Sequence, residues 1–384
     1  MNPDLTRGMA KATELTRSGK LAEATALIQS LLGHGTADVA PPGAGAGDLI
    51  DGDFTRLDSA STAPPKPAAK KARPVGTPLA ETLRKIRAGG MPARGPLADP
   101  LPLPAGAQFL SLSYSGPQGS RDYRLYIPAK RPKGPMPLIV MLHGCTQTPE
   151  DFAIGTGMNA LAEDHGCLIA YPAQPSGANA QKCWNWFRPE DQGRDRGEPA
   201  LIAGLTREIQ TAYPADPART YIAGLSAGGA AAVQVAAAYP DIFAAVGVHS
   251  GLPGGGARDI PSAFAAMRNG TSSTPHPVVV PTIVFHGSAD STVNPRNGAE
   301  TMAQALHAMP GLRRTTRQGT APGGRRYRVT AHTHAEGPTL AEHWEIDGAG
   351  HAWAGGHPKG SFTDPKGPAA SAQMLRFFLQ HSRG

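Results

Sequence analysis

From Tyr221 to Ala231 the chain reads Tyr-Ile-Ala-Gly-Leu-Ser-Ala-Gly-Gly-Ala-Ala, a short apolar strand that runs into Gly224-Leu225-Ser226-Ala227-Gly228 and then into an alanine-rich helix. This order of strand, sharp turn and helix is what a nucleophile elbow requires. A serine hydroxyl is a weak nucleophile and must be lifted clear of a sheet to a place where a base and a carbonyl can both reach it. Gly224 and Gly228 leave out side chains that would collide across such a turn. The helix that follows offers backbone N–H groups to a developing oxyanion. A chain with 47 glycines meets the bare pattern by chance, so the flanking strand and helix carry the weight of the reading.

An elbow predicts an acid and then a histidine on loops after later strands. Pro281 to His286 is a buried-strand pattern that stops at Gly287-Ser288-Ala289-Asp290, which puts Asp290 just past a strand end. His343-Trp344-Glu345-Ile346 reads as a second strand, and Asp347-Gly348-Ala349-Gly350-His351-Ala352-Trp353 follows it. Either residue alone reads as a solvated loop residue. Ser226, Asp290 and His351, in that order after three separate strands, read as a catalytic triad. Pro137 to Leu142 is a continuous apolar run of the kind a central parallel strand shows, and it ends in His143-Gly144-Cys145-Thr146-Gln147. That transition places the backbone N–H groups of Cys145 and Ala227 as the expected oxyanion donors. His143 and His286 precede glycines at strand ends and are read as loop supports.

Four segments together carry a resemblance: Leu142-His143-Gly144-Cys145-Thr146-Gln147, Cys183-Trp184-Asn185-Trp186-Phe187, Gly224-Leu225-Ser226-Ala227-Gly228-Gly229 and Gly350-His351-Ala352-Trp353. Over residues 107–380 the chain resembles the esterases of the poly(3-hydroxybutyrate) depolymerase family. The resemblance implies an α/β-hydrolase fold, with a mostly parallel sheet and helices on both faces. It implies a serine ester hydrolase acting on polyhydroxyalkanoate, its oligomers or short-chain esters, with a feruloyl or acetyl-xylan type of carboxylesterase as the alternative. It also implies that Trp184 lines the substrate crevice, to which the residue reading adds Trp353 as a second wall. His249, after another strand, is expected to floor the pocket or to be a satisfied structural histidine.

The resemblance implies in addition that Cys145 and Cys183 form a disulfide bracing the oxyanion loop. The segment Met1 to Leu5 opens no apolar stretch of the secretory kind, which favours a cytoplasmic protein and two free thiols, while the secreted members of the resembled family keep an extracellular location open. Cys167 lies in an expected strand and reads as a small core hydrophobe. Metal and cofactor sites are not expected, because neither paired Cys-x-x-Cys nor His-Glu-x-x-His spacing occurs.

Strands are expected at 138–142, 167–171, 220–223, 244–248, 282–285 and 342–346, after an antiparallel hairpin of 108–115 and 122–127. Helices are expected at 151–164, 200–212, 227–239, 295–307 and 368–380. These fill a catalytic domain of residues 105–384. Residues 1–34 carry apolar residues at helical spacing on either side of Ser18-Gly19-Lys20 and read as a helical hairpin. Residues 35–104 form a linker rich in Pro, Ala and Gly, with one short helix at 79–88. A single two-helix unit cannot bury its own apolar face. It is therefore expected to dock, to self-associate or to reach a partner or granule surface, and a binding protein with weak hydrolase activity is the reading from another class. With no further module after the last expected helix, a soluble oligomer, amorphous polymer or small ester is favoured over a crystalline one.

The formal net charge is +7. Six arginines between Arg313 and Arg328 supply much of it and read as a solvated β-hairpin or an anion-facing surface. Aromatics make up only 6% of the chain and no nucleic-acid motif accompanies the arginines, so specific nucleic-acid recognition is not expected. No apolar run is long enough to span a membrane.

Overall fold

The computed structural model describes residues 103–271 and 278–384. The chain divides into two units, residues 1–73 and 74–384, and every described residue belongs to the second. The expected hairpin of residues 1–34, the short helix at 79–88 and all but the last two residues of the expected linker lie outside the described residues.

Twelve strands occur among the described residues: β1 (Gln108–Gly116), β2 (Gly119–Ile127), β3 (Met136–Leu142), β4 (Leu168–Pro172), β5 (Ala215–Leu225), β6 (Ala245–His249), β7 (Thr282–Gly287), β8 (Arg313–Thr320), β9 (Arg326–Thr333), β10 (Thr339–Ile346), β11 (Trp353–Ala354) and β12 (Thr363–Asp364). The helices are α1 (Pro149–Thr156), α2 (Met158–His165), α3 (Gly197–Ala212), α4 (Ala227–Ala238), α5 (Ile260–Asn269), α6 (Arg296–His307) and α7 (Ala370–Phe378). Ten strands form one sheet in the order β1-β2-β4-β3-β5-β6-β7-β10-β9-β8. From β4 to β10 all neighbours are parallel, and the antiparallel pairs lie at the two ends.

Both faces of the central parallel strands are covered, which explains why β3 and β4 read as unbroken apolar runs. Side chains alternate across the sheet, so β3 sends Leu138, Val140 and Leu142 to one face and Ile139 and Met141 to the other. The first set packs with Ile202 and Leu205 of α3 and Val233 and Val235 of α4. The second packs with Phe152 of α1, Met158 of α2 and Phe377 and Phe378 of α7.

The single helix expected at 151–164 is two helices. Gly157 takes φ 61° and ψ 18° and caps α1, its N–H donating to the Ala153 carbonyl. That left-handed conformation is one glycine adopts without strain, and it turns the chain into α2. Helix α5 carries a capping box of Asp259 and Ser262 and is absent from the sequence expectations. The arginine-rich segment is the hairpin β8–β9, which extends the main sheet through β10 and leaves β8 as an exposed edge. Arg325, Arg326 and Arg328 are paired with Asp364, Asp347 and Glu345, so only part of this charge is unbalanced.

The order places β3 and β5 side by side, where successive strands lead to opposite sides of the sheet. Ligands of open α/β sheets gather at the carboxyl ends of strands flanking such a point. Leu142 pairs with Gly224, so the loop after β3 and the turn after β5 start next to each other. Their approach is close enough to exclude side chains. A Cβ on Gly228 would lie 2.1 Å from the Leu142 carbonyl oxygen and 2.5 Å from that of His143, and one on Gly224 would lie 2.3 Å from the Gly228 backbone. Gly228→Ala is therefore expected to destabilise the fold by about 1–3 kcal/mol and to lower activity by displacing the turn. A thermal melt and activity both within error of the parent would contradict this account.

Candidate active site

Ser226 occupies the turn between β5 and α4 with φ 58° and ψ −121°, a backbone conformation that side-chain-bearing residues rarely take. Its N–H donates to the His249 carbonyl at 2.9 Å, which ties the strained residue to the end of β6. Ser226 lies at the carboxyl edge of the sheet and is largely buried, with 9% of its surface exposed. Its hydroxyl makes no hydrogen bond to another described residue.

Beyond β7, Asp290 sits with its carboxyl group wholly buried. One oxygen accepts from the N–H groups of Thr292 at 3.0 Å and Val293 at 2.9 Å. The other accepts from His351 Nδ1 at 2.8 Å and lies 3.4 Å from His286 Nε2. Burial alone would push this carboxyl toward neutrality. The neighbouring His351 and the hydrogen bonds from His286 and His351 outweigh it and hold the pKa below the usual carboxylate range. With Nδ1 donating to Asp290, the Nε2 of His351 is left as the acceptor nitrogen. The loops that carry the pair are set by strand register: Gly287 of β7 pairs with Ile346 of β10, and Ala289 N–H donates to the Ala349 carbonyl at 3.0 Å.

After β3, the Gly144 carbonyl accepts from His143 Nδ1 at 2.8 Å and from the Gln147 N–H at 3.3 Å. The peptide is trans, so fixing this carbonyl aims the Cys145 N–H the opposite way. Around it the N–H groups of Gly144, Thr146 and Gln147 all find acceptors, whereas that of Cys145 has none among the described residues. Ala227 is the first residue of α4, where an N–H lacks an intrahelical partner. Cys145 and Cys183 are joined as a disulfide, which attaches this loop to the segment after β4.

Three residues expected to contact substrate occupy other places. Trp184 is fully buried, its Nε1 donating to the His143 carbonyl at 3.0 Å, so it backs the loop after β3 and does not line an open crevice. Trp353 is also buried, with Nε1 donating to Ser371 Oγ at 2.9 Å and its ring stacked on His249. His249 is buried beneath the site, and its Nε2 accepts the Ala354 N–H at 3.0 Å while Nδ1 faces Ser250 Oγ at 3.2 Å. It is a satisfied structural histidine. Each of the three is an amphipathic ring whose polar atom is spent inside the protein, which removes it from a surface a substrate could touch.

Behind Trp184 lies a buried polar cluster that the sequence reading passes over. Glu198 accepts from the Asn185 N–H at 2.8 Å, from Asn185 Nδ2 at 2.9 Å and from Gln174 Nε2 at 2.5 Å. Gln174 also donates to the Cys183 carbonyl at 2.9 Å, and its N–H donates to His143 Nε2 at 3.1 Å. Burial raises the Glu198 pKa, and its donors work against that rise. The cluster therefore holds both His143 and the disulfide from the rear.

The family described as Esterase PHB depolymerase matches residues 121–326, more than half of the chain. The chain belongs to this family. The match includes Ser226 and Asp290 and stops before His351. Among curated relatives, a poly(3-hydroxyalkanoate) depolymerase C from Paucimonas lemoignei is 35% identical over 240 residues, 59% of this chain and 57% of that protein. A feruloyl esterase B from Thermothelomyces thermophilus is 32% identical over 148 residues, covering 38% of this chain and 50% of that one. A poly(3-hydroxybutyrate) depolymerase from Ralstonia pickettii is 28% identical over 254 residues, covering 60% and 51%. The chain thus spans about half the length of the curated relatives it matches. The solved acetyl xylan esterase from Aspergillus awamori shares the fold with a TM-score of 0.53 at 22% identity, over 64% of this chain and 93% of that one. These similarities agree with the α/β-hydrolase topology described above.

The buried histidines give this site a pH signature. Burial is the main cause that lowers the His249 pKa to about 3 and the His143 pKa to about 4. In the unfolded chain both titrate near pH ~6.5. Each contributes stability that is fully present above that pH and is lost as pH falls toward the folded value. The unfolding free energy should drop by up to ~1.4 kcal/mol per pH unit for each histidine between pH ~6.5 and ~4. Urea melts across this window should show a shallower slope in His249→Gln, and an unchanged slope would contradict the assignment of a buried neutral imidazole.

Proposed function

We propose that the protein is a serine ester hydrolase that works through an acyl-enzyme. The observation that carries the reading is the strained Ser226 on its turn after β5, on the same sheet edge as the His351–Asp290 pair at 2.8 Å. In this reading His351 Nε2 takes the proton of the Ser226 hydroxyl as the oxygen attacks the ester carbon. The resulting oxyanion is met by the N–H groups of Cys145 and Ala227. His351 then returns the proton to the leaving alcohol, and water, activated by the same nitrogen, releases the acid. Asp290 fixes the tautomer with Nδ1 protonated and stabilises the imidazolium while it exists. No hydrogen bond joins Ser226 and His351 among the described residues, and in this reading it forms when substrate is seated, as is common where a catalytic hydrogen bond is loose without ligand.

The proposed substrates are 3-hydroxyalkanoate polyesters, their oligomers and short-chain esters. Support comes from the relatives named as depolymerases and from the family itself. Feruloyl or acetyl esters of polysaccharides are the second reading, supported by the relative named as a feruloyl esterase. All groups assigned a role lie between Cys145 and His351. We further propose that residues 105–384 carry the chemistry and that the region before them serves another purpose, such as contact with a granule surface or a partner. Among the described residues no helix is long and apolar enough to cross a membrane.

Hydrolysis of hydroxybutyrate oligomers, amorphous polyhydroxybutyrate, methyl ferulate and short-chain p-nitrophenyl esters tests the substrate assignment. Turnover of ferulate far above that of the oligomers would reverse the order of the two readings. Because triad residues act as a unit, Ser226→Ala and the double variant Ser226→Ala/His351→Ala should both lose at least about 10³-fold in kcat and lie within about threefold of each other. Losses that multiply would show His351 acting independently of the serine. A chain lacking residues 1–73 should turn over a small ester within about twofold of the full chain. Loss of that turnover would make the first unit part of the catalytic machinery.

A further inference from the structure

We infer that Gln147 is a positioning residue for the ester hydrolysis proposed above, holding the peptide that carries the Cys145 N–H and tying it to the loop that follows His351. The inference rests on that proposed reaction and extends it to a residue with no contact to the reacting atoms.

Gln147 is buried, and its amide is engaged at both ends. Oε1 accepts the Gly144 N–H at 2.9 Å. Nε2 donates to Asp151 Oδ2 at 2.9 Å and is shared with the carbonyl and hydroxyl oxygens of Ser361, each at 3.2 Å. The amide has only one workable orientation, since the reverse would set its oxygen against a carboxylate. Ser361 is in turn fixed to Asp151, its N–H donating to Oδ1 at 2.9 Å and its hydroxyl to Oδ2. Asp151 belongs to the first turn of α1, where a carboxylate is favoured by the helix dipole.

Each end of this clamp governs a different part of the site. On one side, the Gly144 carbonyl is pinned by His143 and by the Gln147 N–H, while the Gly144 N–H is pinned by the Gln147 side chain. The two peptide planes at Gly144 are thereby fixed, and with them the direction of the Cys145 N–H. An oxyanion donor is effective only when it is aimed before the charge develops. On the other side, Ser361 precedes Phe362, whose carbonyl accepts the Trp353 N–H at 2.7 Å two residues after His351. Strand β12 then pairs with β11 at Thr363 and Trp353. A single buried side chain thus links the loop of the oxyanion donor to the loop of the base.

The consequence is kinetic. Loosening the clamp misdirects a donor used in the transition state and leaves ground-state contacts in place, so it should lower kcat with little change in KM. Gln147→Met keeps the volume and removes every polar contact of the side chain. Its kcat on a short-chain p-nitrophenyl ester should fall about 10- to 100-fold, less than or equal to removal of a donor outright, with KM within about twofold. The rate at which a phosphonate ester modifies Ser226 should fall by the same factor, because the phosphoryl oxygen needs the same donors. Ser361→Ala should lower kcat several-fold, and the double variant should be no worse than Gln147→Met alone. A kcat within twofold of the parent in Gln147→Met overturns the inference. So does a fall in kcat accompanied by an equal rise in KM, or losses that multiply in the double variant. Should Gln147→Met fail to fold, Ser361→Ala decides by the same kcat, KM and phosphonate criteria. The parent enzyme and Ser226→Ala are assayed alongside. A parent without esterase activity, or an active Ser226→Ala, defeats the proposed function itself, whereas an active parent with an inactive Ser226→Ala and an unaffected Gln147→Met defeats only the role of Gln147.

Discussion

The closeness of the β5–α4 turn to the end of β3 is the constraint on which the site depends. Backbone atoms of Gly228 lie so near the Leu142 and His143 carbonyls that no Cβ fits between them. This forces the serine into its positive-φ conformation and brings the first N–H of α4 beside the loop that bears Cys145. Strain of this type costs of order 1–3 kcal/mol and persists only where the surroundings impose it. Here they do so from several sides: the Leu142–Gly224 register, the bond from the Ser226 N–H to His249, and the apolar packing of α4 against β5 and β6.

Around that contact the protein uses its histidines in two ways. His143 and His249 are buried and neutral, each with one nitrogen donating and the other accepting, and so they act as rigid hydrogen-bonding struts. His351 differs in that its imidazole is partly exposed and only Nδ1 is engaged, by a carboxylate kept ionised. The difference lies in surroundings. A buried ring without a charged partner resists protonation, while a ring held against Asp290 can accept a proton transiently with its positive charge compensated. His286, set between Asp290 and the Val293 carbonyl, keeps the carboxylate oriented from the far side.

Those parts of the site whose chemistry is local were legible in the sequence. The elbow glycines report a steric need within five residues, Asp290 follows a strand whose apolar run is plain, and His351 follows a glycine-flanked turn after β10. The sheet order was not legible, because the pairing of β3 with β5 depends on contacts between distant segments. The aromatic side chains show the same limit. Trp184 and Trp353 stand at the correct edge, yet which way each ring faces is decided by partners outside its own segment, His143, 41 residues from Trp184, and Ser371, 18 residues from Trp353. Gln147 lies within the motif that carries the resemblance, but its role depends on Ser361, 214 residues away. The break at Gly157 was within reach of the sequence, since glycine in a helical run can mark a left-handed cap, and the apolar spacing on either side concealed it.

The account's central claim is that the elbow, the Cys145 loop and His351 converge on one reacting carbonyl. A crystal structure of the protein after reaction with an alkyl phosphonate tests this most directly. The phosphorus should be bonded to Ser226 Oγ, one phosphoryl oxygen should lie at about 2.7–3.1 Å from both the Cys145 and Ala227 nitrogens, and His351 Nε2 should be within hydrogen-bonding reach of Ser226 Oγ or the leaving-group oxygen. An adduct on Ser226 with its phosphoryl oxygen turned away from those two nitrogens, or an adduct on another residue, would contradict the account.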